Sequence, residues 1–83
     1  MAPNITKAQF SALNAVRNRR CYRRYTSEGN TVHNKDGGAA SVLWKLEKMG
    51  FIREISDGIP TIATFGLTDA GRLVLRQAEE ANA

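Results

Sequence analysis

A short basic segment carries the most chemically distinctive side chains of this sequence. Residues 17–25 contain five arginines and two tyrosines and no acidic residue: Arg17, Arg19, Arg20, Arg23, Arg24, Tyr22 and Tyr25. Arginine binds phosphate through paired hydrogen bonds and also stacks on aromatic rings and bases. We therefore expect the arginines to contact a nucleic-acid backbone. Basic residues interleaved with aromatic ones also suit single strands or RNA.

The distribution of charge points the same way. The formal net charge is +4, from 12 basic and 8 acidic residues. Residues 1–27 contain six basic side chains and no acidic ones, whereas residues 28–83 contain six basic and eight acidic ones. All of the positive excess thus lies in the first third of the chain, which predicts an anionic partner for that region.

Catalytic and metal-binding patterns are missing from the sequence. Cys21 and His33 are the only residues of their types, so neither an internal disulfide nor a four-ligand zinc site can be built from them. No nucleophile, base and orienting group can be assembled. We expect no enzyme activity, cofactor or metal. His33 is expected on the surface, and Cys21 as a half-buried thiol rather than a reactive one.

Localisation is predicted from equally simple features. The single cysteine favours a reducing compartment, most simply the cytoplasm. The N-terminal residues lack the pattern of a signal peptide, and no apolar run approaches the length of a membrane span. We expect no membrane association.

A first helix is predicted over residues 6–18. Thr6 and Gln9 have the spacing of a capping box, in which each side chain accepts a hydrogen bond from the other's backbone N–H. Ile5 and Phe10 have the spacing of a hydrophobic staple across the same helix start.

Residues 19–37 are ambiguous, since they show no helical apolar stripe. One interpretation is a hairpin, with strands at residues 21–26 and 31–33 around a turn at 27–30. The other is a loop with one short helix.

The second half of the chain has clearer patterns. A helix is predicted over residues 38–49, with its apolar face centred on Leu46 and Ala39 and also containing Met49. Strands at residues 51–55 and 61–67 should form an antiparallel hairpin. Thr68 should cap a last helix, with Asp69 in its first turn. Leu73, Val74 and Ala78 give that helix an apolar side, and residues 1–5 and 79–83 are expected to fray.

Two motifs in this half carry a family resemblance. They are Leu46-Glu47-Lys48-Met49-Gly50-Phe51 and Leu67-Thr68-Asp69-Ala70-Gly71-Arg72, and one hairpin separates them. Residues 39–76 resemble the second half of a winged-helix regulator of the MarR or PadR kind. The resemblance implies an α+β fold in which a helical core is followed by a two-stranded wing and a final helix. The length of 83 residues predicts a single domain over residues 1–83. The usual second helix of these families is not evident within residues 19–37.

The resemblance also implies a DNA-binding surface. It places the helix at 38–49 in the major groove with an outward face of Ser41, Trp44, Lys45 and Lys48. Arg53 lies on the wing, but the tip at residues 56–60 has no basic residue and contains Asp57, which disfavours a strong minor-groove contact. Trp44 is expected either to be covered by residues 19–37, the favoured interpretation, or to meet a partner.

The leading hypothesis is a small double-stranded DNA-binding regulator of transcription, monomeric or weakly dimeric, of a size typical of phage or mobile-element regulators. Its predicted contact residues are Arg17, Arg19, Arg20, Arg23, Arg24, Ser41, Trp44, Lys45, Lys48 and Arg53. The alternative is a winged-helix interaction module or inhibitor that binds a protein through the arginine cluster and Trp44.

Overall fold

Three helices and one four-stranded antiparallel sheet make up the part of the chain that the computed structural model describes, residues 5–56 and 58–81. The elements in chain order are α1 (Lys7–Arg17), β1 (Cys21–Thr26), β2 (Gly29–Asn34), α2 (Ala40–Lys48), β3 (Ile52–Ser56), β4 (Ile62–Leu67) and α3 (Asp69–Ala81). The predicted α+β class is therefore confirmed.

Helix α1 begins as its sequence predicts. The Thr6 hydroxyl accepts a hydrogen bond from the Gln9 backbone N–H at 3.0 Å, and the Gln9 side-chain oxygen accepts one from the Thr6 N–H at 2.9 Å. Ile5, which we expected to fray, is half-buried against the core. Residues 1–4 lie outside the described part of the chain.

The ambiguous segment forms a hairpin. Strand β1 has the predicted bounds, whereas β2 is longer than predicted and pairs with β1 from Thr26–Gly29 to Cys21–Asn34. Cys21 and Val32 are buried on the inner face of this hairpin, which attaches it to the core. The interpretation as a loop with a short helix is wrong, because alternation between two faces buries these residues without a helical stripe.

The two hairpins of the chain share one sheet, with strand order β2-β1-β4-β3. Strand β1 runs antiparallel to β4 through the pairs Tyr22–Thr64, Arg23–Ala63 and Arg24–Ile62. All three helices cover one face of the sheet, which we call the inner face. The core between helices and sheet contains Leu13, Val16, Leu43, Leu46, Phe65 and Leu75.

Helix α2 is shorter than predicted. It begins at Ala40 rather than residue 38, and its buried residues are Leu43 and Leu46. Ala39 and Met49 were expected on the apolar face, but both are exposed, with Met49 at 43%. The core is too small to cover both ends of the helix.

The two family-like motifs contact each other at the start of α3. The Thr68 hydroxyl donates a hydrogen bond to the Gly50 carbonyl at 2.6 Å and accepts one from the Gly71 N–H at 3.0 Å. The Thr68 N–H donates to the Phe51 carbonyl at 3.1 Å. Gly71 permits this approach, because an added Cβ would lie 2.0 Å from the Phe51 carbonyl oxygen.

The apolar side of α3 differs from the prediction. Leu75 and Ala78 are buried, whereas Leu73 is 47% exposed. The helix continues through Ala81, although we expected residues 79–83 to fray. Residues 82 and 83 lie outside the described part of the chain.

Candidate nucleic-acid interface

Strand β1 divides the arginine cluster between the two faces of the sheet. Successive side chains of a strand point to opposite faces. Arg23 therefore lies on the inner face, opposite Val32 and Ala63, whereas Arg24 lies on the outer face, opposite Thr31 and Ile62. The arginines that are neighbours in the sequence therefore do not form one continuous surface in the fold.

Arg23 belongs to an internal ion-pair network. Its guanidinium donates to Glu47 and Glu54 at 2.8 Å each, and its carbon Cζ lies 5.3 Å from the centre of the Phe65 ring. The Arg23 side chain is only 12% exposed. The hydrogen bonds that Arg23 donates to Glu47 raise its pKa, and the hydrogen bond that it donates to Glu54 adds to this. These contacts occupy both terminal nitrogens, so the predicted phosphate contact of Arg23 does not fit this geometry.

Tyr25 completes the same network from the end of β1. Its hydroxyl donates a hydrogen bond to Glu54, and this bond raises the pKa of Tyr25. Tyr25 is 40% exposed, so the network reaches the protein surface at this point.

Arg17 and Arg20 form ion pairs at the surface. Arg17 contacts Glu79 of α3 at 3.1 Å, and Arg20 contacts Asp36 at 3.0 Å. Exposed pairs of this kind contribute about 0–1 kcal/mol, so both arginines can exchange a carboxylate for a phosphate. The expectation that no acidic residue lies near the cluster is nevertheless wrong, because the fold brings acidic residues of α2, β3 and α3, and Asp36 after β2, against it.

The remaining two arginines face solvent on the other side of the sheet. Arg19 and Arg24 are exposed, and no carboxylate within residues 5–56 and 58–81 pairs with either. Lys35 and the Tyr22 ring lie beside them around one shallow depression. Lys35 is not among the contact residues predicted from the sequence, because its neighbours in the chain carry no motif.

Two rings stack on the same outer face. The Tyr22 and His33 centroids lie 4.9 Å apart with 20° between their planes, and the Lys35 ammonium lies 5.6 Å from the Tyr22 centroid. The expected surface position of His33 is confirmed, and its Nε2 lies 2.8 Å from the Thr31 hydroxyl oxygen. Strand alternation over residues 21–26 is the signal that could have paired Tyr22 with Arg24.

Helix α2 presents the second candidate surface. Ser41, Trp44, Lys45 and Lys48 all lie on its exposed side. Trp44 is 55% exposed and lines a groove with Asn30 and Lys48. The favoured prediction that residues 19–37 cover Trp44 is wrong, because this hairpin buries its Val32 side in the core instead.

The β3–β4 hairpin places one predicted residue on the outer face. Arg53 of β3 is exposed and pairs in register with Gly66 of β4. At the tip, Ile59 is 53% exposed, whereas Asp57 lies outside the described residues. The tip residues that the structure describes include no cation.

Cys21 is buried more deeply than the half-buried thiol that we expected. Its side chain is fully buried, and burial together with the nearby Asp36 raises the pKa of its thiol to about 11. We expect an alkylating reagent at mildly alkaline pH to modify the folded protein far more slowly than the urea-unfolded chain, because the thiolate is the nucleophile. Mass spectrometry over time measures this. Equal rates in both states would show that Cys21 is accessible.

Neither a metal-binding cluster nor a membrane-spanning helix is found in the described part of the chain. No group of three or more potential metal-ligating side chains occurs within the described residues. In the same part of the chain, no helix is long and apolar enough to cross a membrane.

Comparison with known proteins found no match to a protein-family model, to a curated protein or to a solved structure. A functional proposal for this chain therefore rests on its own residues and their geometry.

Proposed function

We propose that this protein is a small regulator that binds double-stranded DNA with the exposed face of α2. The main observation behind this proposal is that Trp44, Lys45 and Lys48 project into solvent from one side of the helix. Neither lysine has an ion pair among the described residues. The B-DNA major groove is about 12 Å wide and admits an α-helix, whose lysines then contact phosphates or guanine edges. Ser41 near the helix start adds a hydroxyl that can bond a base or phosphate.

The order of elements supports a winged-helix arrangement for this proposal. Helix α2 is followed by the β3–β4 hairpin and then by α3, and β1 lies beside β4. Winged-helix DNA binding needs a recognition helix directly before such a hairpin, and here a β-strand, β2, occupies the place of the usual second helix. Arg17 and Arg20 would supply secondary phosphate contacts by exchanging their surface partners.

Replacing both lysines of α2 tests the proposal. Lys45→Gln/Lys48→Gln should weaken binding to a short random-sequence duplex and lower the slope of log Kd against log salt by about 2, because each lost phosphate contact removes about one unit. Fluorescence anisotropy across about 50–200 mM salt measures both quantities.

A variant with the same loss of charge serves as the control. Lys7→Gln/Arg76→Gln removes two exposed cations from α1 and α3, away from α2, and should leave the slope within experimental error. An equal loss in both variants, or wild-type Kd weaker than about 100 μM at the lowest salt, would reject DNA binding by α2.

The exposure of Trp44 also supports a second candidate, a protein-interaction module. Tryptophan is enriched among the residues that dominate protein–protein binding energy. The intrinsic fluorescence of Trp44 separates the candidates, because it is the only tryptophan of the chain. Quenching that saturates together with the anisotropy change places Trp44 at the DNA. Unchanged fluorescence in the DNA complex leaves it available to a protein partner.

A further inference from the structure

The outer face of the sheet, opposite the helices, carries a second basic surface. Residues directly opposite one another on antiparallel strands point to the same face. The pairs Tyr22–His33 and Tyr22–Thr64 therefore place both rings on the face that carries Arg24 and Arg53. The buried residues of the helices pack on the inner face, although Arg17 of α1 and Arg72 of α3 line a depression with Arg53 at one end of the outer face.

This outer face is positively charged. Arg24 and Arg53 lie on it, Arg19 and Lys35 lie at its end, and none of its described strand residues is an aspartate or glutamate. Asp36, next to Lys35, is held by Arg20 at 3.0 Å. Four cations without an ion-pair partner among the described residues favour a polyanionic ligand.

Arg19 occupies a backbone conformation that favours glycine. Its φ is +59°, and it follows α1 where its own N–H donates to the Val16 carbonyl at 3.0 Å and the Arg20 N–H donates to the Ala15 carbonyl at 2.9 Å. Glycine usually occupies this position after a helix, because a side chain is strained there. The arginine projects over the sheet, since a Cβ added at Gly66 would lie 3.7 Å from its Nη1. The Arg19 side chain is therefore kept at a position where its backbone conformation is less favourable than that of a glycine.

The aromatic rings of Tyr22 and His33 indicate which kind of polyanion fits this surface. Bases of a duplex are already stacked on one another, whereas unpaired bases stack on exposed aromatic side chains. The Tyr22–His33 stack lies among the cations on an open sheet, with nothing that enters a groove. Four strands span about 14 Å, which accommodates a few nucleotides of an extended strand.

We infer that the outer face of the sheet binds a single-stranded nucleic acid, with its phosphates at Arg19, Arg24 and Arg53 and a base on the Tyr22–His33 stack. This site goes beyond the duplex-binding role of α2 and does not depend on it. The chemistry is common to unpaired DNA and RNA.

Two labelled oligonucleotides of about 12 nucleotides, oligo(dT) and oligo(rU), test the inference by fluorescence anisotropy. Arg24→Gln/Arg53→Gln should weaken binding about tenfold or more, whereas the equally charged Lys7→Gln/Arg76→Gln and Lys45→Gln/Lys48→Gln should leave it nearly unchanged. Stronger binding of oligo(dT) or of oligo(rU) would show whether the site prefers DNA or RNA. Equal binding would show that it recognises the phosphates and bases that both strands share. Retention of affinity in Arg24→Gln/Arg53→Gln, or no binding to either strand, would overturn the inference.

Two further variants separate binding from folding. His33→Ala lies on an exposed edge-strand position and should weaken binding about tenfold by removing one ring of the stack. Arg19→Gly should raise the melting temperature by about 3–5 °C while it weakens binding, because it relieves strain and removes a cation. If Arg19 had only a structural role, the melting temperature and the affinity of Arg19→Gly would change in the same direction. Lys45→Gln/Lys48→Gln should weaken only duplex binding and Arg24→Gln/Arg53→Gln chiefly strand binding. Either proposal can therefore fail while the other holds.

Discussion

Arg23→Met is expected to lower the free energy of unfolding by about 2–4 kcal/mol. The substitution leaves the Glu47 and Glu54 carboxylates, which are 31% and 29% exposed, without the guanidinium that both contact at 2.8 Å. Removing one partner of a largely buried ion pair is costly because the remaining charges stay poorly solvated. For a domain of this size the melting temperature should fall by about 10–25 °C. Urea and thermal unfolding followed by circular dichroism measure both effects.

The neighbouring arginine provides the control. Arg24→Met is on the same strand but on the outer face, and it should change the free energy of unfolding by no more than about 0.5 kcal/mol. Adding Glu47→Gln and Glu54→Gln to Arg23→Met should recover part of the loss, because no uncompensated carboxylate then remains. Equal destabilisation by Arg23→Met and Arg24→Met would show that the internal network does not stabilise the fold.

Gly71→Ala is expected to lower the free energy of unfolding by about 1–3 kcal/mol. Helix propensity alone predicts the opposite sign, since alanine in a helix interior is favoured over glycine by about 1 kcal/mol. The added Cβ would lie 2.0 Å from the Phe51 carbonyl oxygen, and this neighbour is backbone that cannot rotate away. Helix α3 must then move from β3 and lose the Thr68 hydrogen bonds to Gly50 and Phe51. Chemical denaturation measures the change.

Ala70→Leu is a matched control for this prediction. It enlarges the adjacent, exposed residue of α3 and should leave the free energy of unfolding within about 0.5 kcal/mol of the wild type. An increase in stability for Gly71→Ala would mean that the close contact between the two motifs is not maintained in solution.

Local patterns in the sequence were sufficient to predict much of the fold. The capping box at Thr6 and Gln9 and the cap at Thr68 involve hydrogen bonds across three residues, so they can be recognised in the chain itself. The second hairpin and the exposed side of α2 follow from turn residues and from the 3.6-residue repeat. The two family-like motifs can also be recognised in the sequence. The sequence does not show why a glycine is needed at position 71, because the cause is the close approach of the Phe51 backbone.

The site depended more heavily on tertiary structure. Residues 21–34 form a hairpin because β1 pairs with β4, whose residues follow about forty positions later in the chain. The contacts that pair Arg23 and Arg17 with carboxylates join residues separated by 24 to 62 positions.

Sequence alone therefore determined the three helices, the second hairpin and the basic character of this protein, because caps, turns and periodicity act over a few residues. Tertiary structure decided which cations are free, that Trp44 is exposed, and that Lys35 and the Tyr22–His33 stack join Arg19 and Arg24. Ion pairing and burial depend on which distant side chains the strands bring together, and the order of residues along the chain does not specify that.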